Sequence, residues 1–192
     1  MIAHGQHYLQ AEIDDKKAIL DEMIDRFPNI LKSEIAHYKE LIDKEAKENA
    51  EGDIDVECSL WNNSTYHEVI DTQSTILLYH YYSLAIMIYT FAESSLKQIC
   101  EYSNIKILPQ KKGEKKSKLS RYYDTIKNAH KSLPILEDIW AGRASFGTTR
   151  NKIAHEMKTQ NHIAMQEYLH KQLNDAYNML CLVLNQVIDN KL

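Results

Sequence analysis

The stretch Ile76-Leu77-Leu78-Tyr79-His80-Tyr81-Tyr82-Ser83-Leu84-Ala85-Ile86-Met87-Ile88-Tyr89-Thr90-Phe91-Ala92 decides how the chain is read. It is apolar nearly all round, which predicts the central helix of a helical core. Its length falls short of the ~20 apolar residues that a membrane span needs. His80 and four tyrosines also lie through its middle rather than at its ends. The expectation is a buried core helix with no membrane contact, its tyrosines serving the core and a subunit interface.

The helical pattern around this stretch runs from Tyr66 to Tyr102, and Asn62-Asn63-Ser64-Thr65 supplies helix-start chemistry before it. Further upstream, Leu9, Ile13, Ala18, Ile19, Leu20, Met23, Ile24 and Phe27 recur at helical steps and predict a helix over 6–26 that ends at Pro28. Asn29 then caps a second helix to about Ala50, with a thin stripe of Ile30, Leu31, Ile35, Tyr38, Leu41 and Ile42, and Gly52 stops it. The pair predicts an acidic helical hairpin over 1–60, packed on the same domain as the rest. Between Asp53 and Asn63 the pattern breaks, and Val56, Leu60 and Trp61 are expected to plug a gap in the core.

Downstream, Pro109, Gly113 and a lysine cluster mark 103–118 as a polar linker. Helices are expected over 119–133 and 135–158, then a long one over 162–190 whose stripe includes Met165, Leu169, Leu173, Ala176, Leu180, Val183, Leu184 and Val187. The predicted fold is all-α: an up-and-down four-helix bundle over 61–192 with the additional N-terminal hairpin. Five Gly and three Pro in 192 residues leave too few turns for a β-sandwich.

Cys58, Cys100 and Cys181 are odd in number and widely spaced, which argues against a disulfide framework and a zinc site. They read as reduced thiols of a cytoplasmic protein, and the opening residues carry no export signal. No metal or other cofactor is expected. The net charge of −4 is unevenly spread: residues 1–60 hold fifteen acids against seven Lys and Arg, or −8. Residues 104–121 hold Lys106, Lys111, Lys112, Lys115, Lys116, Lys118 and Arg121 against Glu114, or +6. That segment, with Lys111, Lys112, Lys115 and Lys116 at its centre, suits phosphate groups despite the acidic total.

Chemistry concentrates in Thr148-Thr149-Arg150-Asn151-Lys152-Ile153-Ala154-His155-Glu156. Arg150 offers a permanent fork of donors matched to phosphate oxygens, and His155 can exchange a proton near neutral pH. Five residues at 3.6 per turn would set the two on different sides of a regular helix, so a joint site needs a break, for which Gly147 and the threonines provide. Lys152 adds a cation.

An Arg, a polar residue directly after it and a His after four residues, placed just before the last long helix of a helical bundle, resembles the HEPN superfamily. The helix around Phe91-Ala92-Glu93-Ser94-Ser95-Leu96-Lys97 is similar, more loosely, to that family's earlier core helix. The resemblance covers about residues 66–190. It implies a metal-independent endoribonuclease acting as a homodimer on RNA, with Arg150, His155 and Asn151 as catalytic residues and Glu93 as a partner that orients one of them. A toxin or antiviral defence effector, with an antitoxin or defence-system protein as partner, is the implied setting. Met157 stands where one branch of the family carries a nucleotide-accepting tyrosine, which speaks against neutralisation by that route. The alternatives are a non-catalytic HEPN-like bundle that binds nucleotide, RNA or a protein, and a purely structural interaction module.

Overall fold

The computed structural model describes residues 2–110, 113, 117–131, 133 and 162–189. Among them the architecture is all-α: α1 (Ile2–Ala50), α2 (Ile54–Asn62), α3 (Tyr66–Tyr102), α4 (Lys118–Ala129) and α5 (His162–Asp189). Of the four helices expected over 61–192, the first, second and fourth correspond to α3, α4 and α5. The helix expected over 135–158 lies outside the described residues.

The first correction concerns Pro28. The expected pair of helices is one helix, α1, with Pro28 inside it. A proline in a helix interior costs about 3 kcal/mol, since it removes an N–H and crowds the preceding turn. Here apolar positions continue in phase on both sides of it: Leu9, Ile13, Leu20 and Ile24 before, Leu31, Ile42 and Ala46 after, all buried. Pro28 is itself buried. Burial of that stripe outweighs the local cost, and there is no hairpin turn at residue 28. Pro28→Ala is expected to raise the urea midpoint by the equivalent of about 1 kcal/mol. It restores the N–H, worth about 3 kcal/mol, and gives up two buried methylenes at about 0.8 kcal/mol each. A lowered midpoint would mean that the ring's packing dominates.

By its contacts the chain falls into two units, Met1–Met23 with Tyr82–Leu192, and Ile24–Tyr81. In the first unit, Leu9, Ile13 and Leu20 of α1 are buried along with Leu84, Ile88, Leu96 and Ile99 of α3, Tyr123 and Ile126 of α4, and Leu169, Leu173, Leu180 and Val183 of α5. Residues at the helix borders record the pairing. Gln98 of α3 donates to Glu12 (2.8 Å), and α1 and α5 run antiparallel, with Tyr177 bonded to Asp14 and His170 to Asp21. Leu9, Ile13 and Leu20 of α1 are therefore part of this core.

In the second unit, α1 and α3 are again antiparallel. Phe27 stacks near His80 (4.4 Å between centroids), Tyr38 near Tyr66 (5.7 Å), and the Tyr66 hydroxyl donates to Glu45 (3.4 Å). Gly52, at φ +91°, makes the turn out of α1 that an L side chain would strain. The turn leads into α2 where an irregular segment was expected. Val56, Leu60 and Trp61 do not plug a core gap, because no residue of α2 is buried.

The apolar stretch of α3 is also less enclosed than expected. Leu77, Tyr81, Leu84 and Ile88 are buried, whereas Ile76, Tyr79, Ile86 and Met87 are exposed. By length and composition α3 passes the test for a membrane-crossing helix, with a mean hydropathy of 1.3 over its best window and 39% of that window buried. Core helices of folded domains meet the same test.

Candidate functional site

Of the expected site residues, Glu93 is the one the structure describes. Arg150, Asn151, His155 and Lys152, and the lysines 111, 112, 115 and 116, lie outside the described residues. Glu93 sits on α3 directly after Phe91 and Ala92, which are buried, and before Ser95 and Leu96, which are buried too. That phase sets its carboxylate at the border of the core, with its side chain 25% exposed and Lys118 Nζ 4.0 Å away. Ser95 Oγ, two residues on and so on another face of α3, is buried and has no hydrogen-bond partner among the described residues.

Local chemistry brings Lys118 there. Asn104, in the left-handed region at φ +54°, ends α3. The Ile105 N–H bonds back to the Cys100 carbonyl (2.9 Å) and the Asn104 N–H to Glu101 (3.1 Å), a Schellman closure. Leu108 N–H then donates to Thr125 Oγ1 (3.1 Å), which fastens the segment to α4. Ser117 caps α4 by accepting from the Ser120 N–H (3.2 Å), so Lys118 enters the first turn facing Glu93. Lys118 and Arg121 lie three residues apart on one face. Arg121 packs over the Tyr122 ring at 5.7 Å, and its Nε is buried with no partner among the described residues. The described edge of the lysine-rich segment thus sets Lys118 beside Glu93, with Arg121 three residues further along α4. This arrangement suits orientation of an anionic group more than proton transfer.

A second polar cluster, missed in the sequence, runs along the α1–α5 seam. Asp14 accepts from the Tyr177 hydroxyl (2.8 Å) and from Gln10 (2.7 Å), and Gln10 also reaches Cys181 Sγ (3.6 Å). Lys17 pairs with Asp21, which also accepts from His170 Nδ1 (3.2 Å). The bond to Asp14 holds the Tyr177 phenol well above its ordinary pKa, with Cys181 adding to the effect. The signal was present as Gln10, Asp14, Lys17 and Asp21 at four- and three-residue steps beside the apolar stripe, but nothing local said which helix would face them. Among the described residues no group of three or more His, Cys, Asp or Glu is placed to hold a metal ion.

The three cysteines differ in state. Cys58 is exposed and Cys100 is buried, and burial pushes the Cys100 thiol up to about 11, with Glu101 adding to it. At pH 8 its thiolate fraction is therefore about a hundredfold below that of a thiol at the unperturbed value, before any steric protection. A thiol–disulfide reagent at pH 8 is expected to modify Cys58 within seconds to minutes and Cys100 only after unfolding. Labelling of Cys100 at the rate of Cys58 would contradict that burial.

Compared with known proteins, the chain matches no family model, no curated protein and no solved structure.

Proposed function

We propose that the chain is a metal-independent endoribonuclease of the HEPN kind, cytoplasmic, working as a homodimer in toxin–antitoxin or antiviral growth arrest. The observation that carries this reading is the Arg150-Asn151-Lys152-Ile153-Ala154-His155 motif, set ahead of the last long helix of an all-α chain. In this mechanism His155 takes the proton of a ribose 2′-hydroxyl, whose oxygen attacks the adjacent phosphorus. The bond from phosphorus to the 5′-oxygen breaks, that oxygen is protonated, and a 2′,3′-cyclic phosphate remains. Arg150 offsets charge on the phosphoryl oxygens, and Asn151 orients the reacting groups by hydrogen bonding. Glu93 takes a positioning role beside Lys118, with Lys111, Lys112, Lys115 and Lys116 drawing in the RNA backbone. The twofold axis of the dimer brings both copies of Arg150 and His155 to one cleft. The test is cleavage of an RNA oligonucleotide in chelator with identification of the product ends. Intact RNA at micromolar protein over hours would refute the enzyme.

The +6 charge of residues 104–121 also favours a second reading, a non-catalytic HEPN-like bundle that binds RNA or nucleotide through phosphate contacts. It predicts binding that weakens steeply with salt and yields no cyclic-phosphate ends.

A further inference from the structure

We infer that α2 is a docking element for a protein partner whose contact face is an apolar strip edged with Lys and Arg. The helix is well made locally. Asp53 caps it by accepting from the N–H groups of Asp55 (2.9 Å) and Val56 (3.2 Å), and Asp55 and Glu57 favour its positive N-terminal end. Side-chain and backbone bonds at Trp61 tie it to α1 and α3. Trp61 Nε1 donates to Asp43 of α1 (2.8 Å), its carbonyl accepts from His67 Nε2 of α3 (2.7 Å), and its ring meets the His67 ring edge-on at 4.7 Å.

These anchors are polar or lie at the margin, and the helix is fixed with its apolar side chains only partly covered. Ile54 is 74% exposed, Val56 42%, Leu60 39% and Trp61 37%. Val56 and Leu60 stand one turn apart on one flank, the spacing by which an amphipathic helix inserts into a groove. Nine residues are too few for an isolated helix to persist in water, so the caps and the Trp61 bonds hold an apolar surface in helical form ahead of any partner.

Charge selects the occupant. From Glu51 to Asp71 the chain holds six acids, Glu51, Asp53, Asp55, Glu57, Glu68 and Asp71, and no Lys or Arg, while Lys44 and Lys47 lie on the last turns of α1, where Lys44 pairs with Glu48 (3.8 Å). An anionic lipid surface or a nucleic acid is repelled by such a rim, whereas a protein face edged with cations is steered onto it. The residues differ from those of the ribonuclease reading, so the two stand or fall separately.

The test uses the full chain and two fluorescent amphipathic helical peptides with the same leucine face, one otherwise all Lys and the other all Glu. The Leu/Lys peptide is expected to bind at micromolar concentration, at least tenfold tighter than Leu/Glu. The double variant Val56→Ser with Leu60→Ser is expected to lose at least tenfold in affinity with only a small fall in melting temperature, since neither residue is part of the buried core. Glu51→Gln with Asp55→Asn is expected to lose severalfold and to flatten the salt dependence. Should the serine pair melt early, Ile54→Ser carries the same test. The proposal is overturned if the serine variants bind Leu/Lys within twofold of the parent, or if Leu/Glu binds equally well. It is likewise overturned if phosphatidylglycerol vesicles or an RNA oligonucleotide bind the parent and lose that binding in the serine variants.

Discussion

Arg150→Ala and His155→Ala are each expected to lower the rate of RNA cleavage by two orders of magnitude or more, with unchanged helicity and unchanged insensitivity to chelator. The two losses have different origins. Removing a general base or acid typically costs 10²–10⁴-fold, because the 2′-hydroxyl must then lose its proton to solvent. Removing a charge-stabilising donor costs about 10²–10³-fold, because charge gathers on the phosphoryl oxygens as the new bond forms. His155→Ala is therefore expected to flatten the pH profile of any residual activity, whereas Arg150→Ala lowers it at every pH. Asn151→Ala, which removes only orientation, is expected to cost less than either. Full cleavage by both Arg150→Ala and His155→Ala would dispose of the catalytic assignment. Loss of RNA binding together with cleavage in Arg150→Ala, without cyclic ends in the parent, would favour the binding module.

Ile13→Ala is expected to destabilise the protein by about 2–5 kcal/mol and to lower the melting temperature by roughly 5–15 °C. Ile13 is fully buried in the unit that also holds the C-terminal part of α3, α4 and α5. Truncation there loses the transfer free energy of the removed methylenes and leaves a cavity that a close-packed interior fills only in part. Ile19→Ala is the control. The same apolar stripe of the sequence includes Ile19, but the residue is 58% exposed, and its replacement is expected to change stability by less than about 0.5 kcal/mol. Calorimetry or urea titration of the two variants reads the difference directly. Equal effects would mean that the first turns of α1 do not belong to the core.

The Ile13 and Ile19 pair shows where the sequence is readable and where it stops. A three- and four-residue recurrence shows that a segment is helical and roughly which face is apolar, and for α3, α4 and α5 it places the boundaries within a few residues. It does not show how wide an arc the neighbours cover. Ile19, Phe27 and Ile30 fall within the apolar pattern yet outside the covered arc. Pro28 misleads for a related reason. A local rule prices the missing N–H correctly but cannot see that the stripe continues in phase beyond it and that burial outweighs it. Gly52 and the Ser64 region were legible because turn geometry and capping are short-range: φ at Gly52 and the Tyr66 N–H to Ser64 Oγ bond depend on residues next to one another.

By itself the sequence determined the all-α class, the limits of α3 and α5, the charge asymmetry and the Arg150-Asn151…His155 motif, since each rests on periodicity, composition or neighbouring residues. Only the tertiary structure decided that α1 runs unbroken through Pro28, that Leu9, Ile13 and Leu20 share a core with α3 and α5, and that Glu93 meets Lys118. It also decided that α2 leaves its apolar side chains partly in solvent. Those outcomes turn on which helix faces which, and a pairing between residues as far apart as Asp14 and Tyr177 is set by packing of the whole core, which no local stretch encodes.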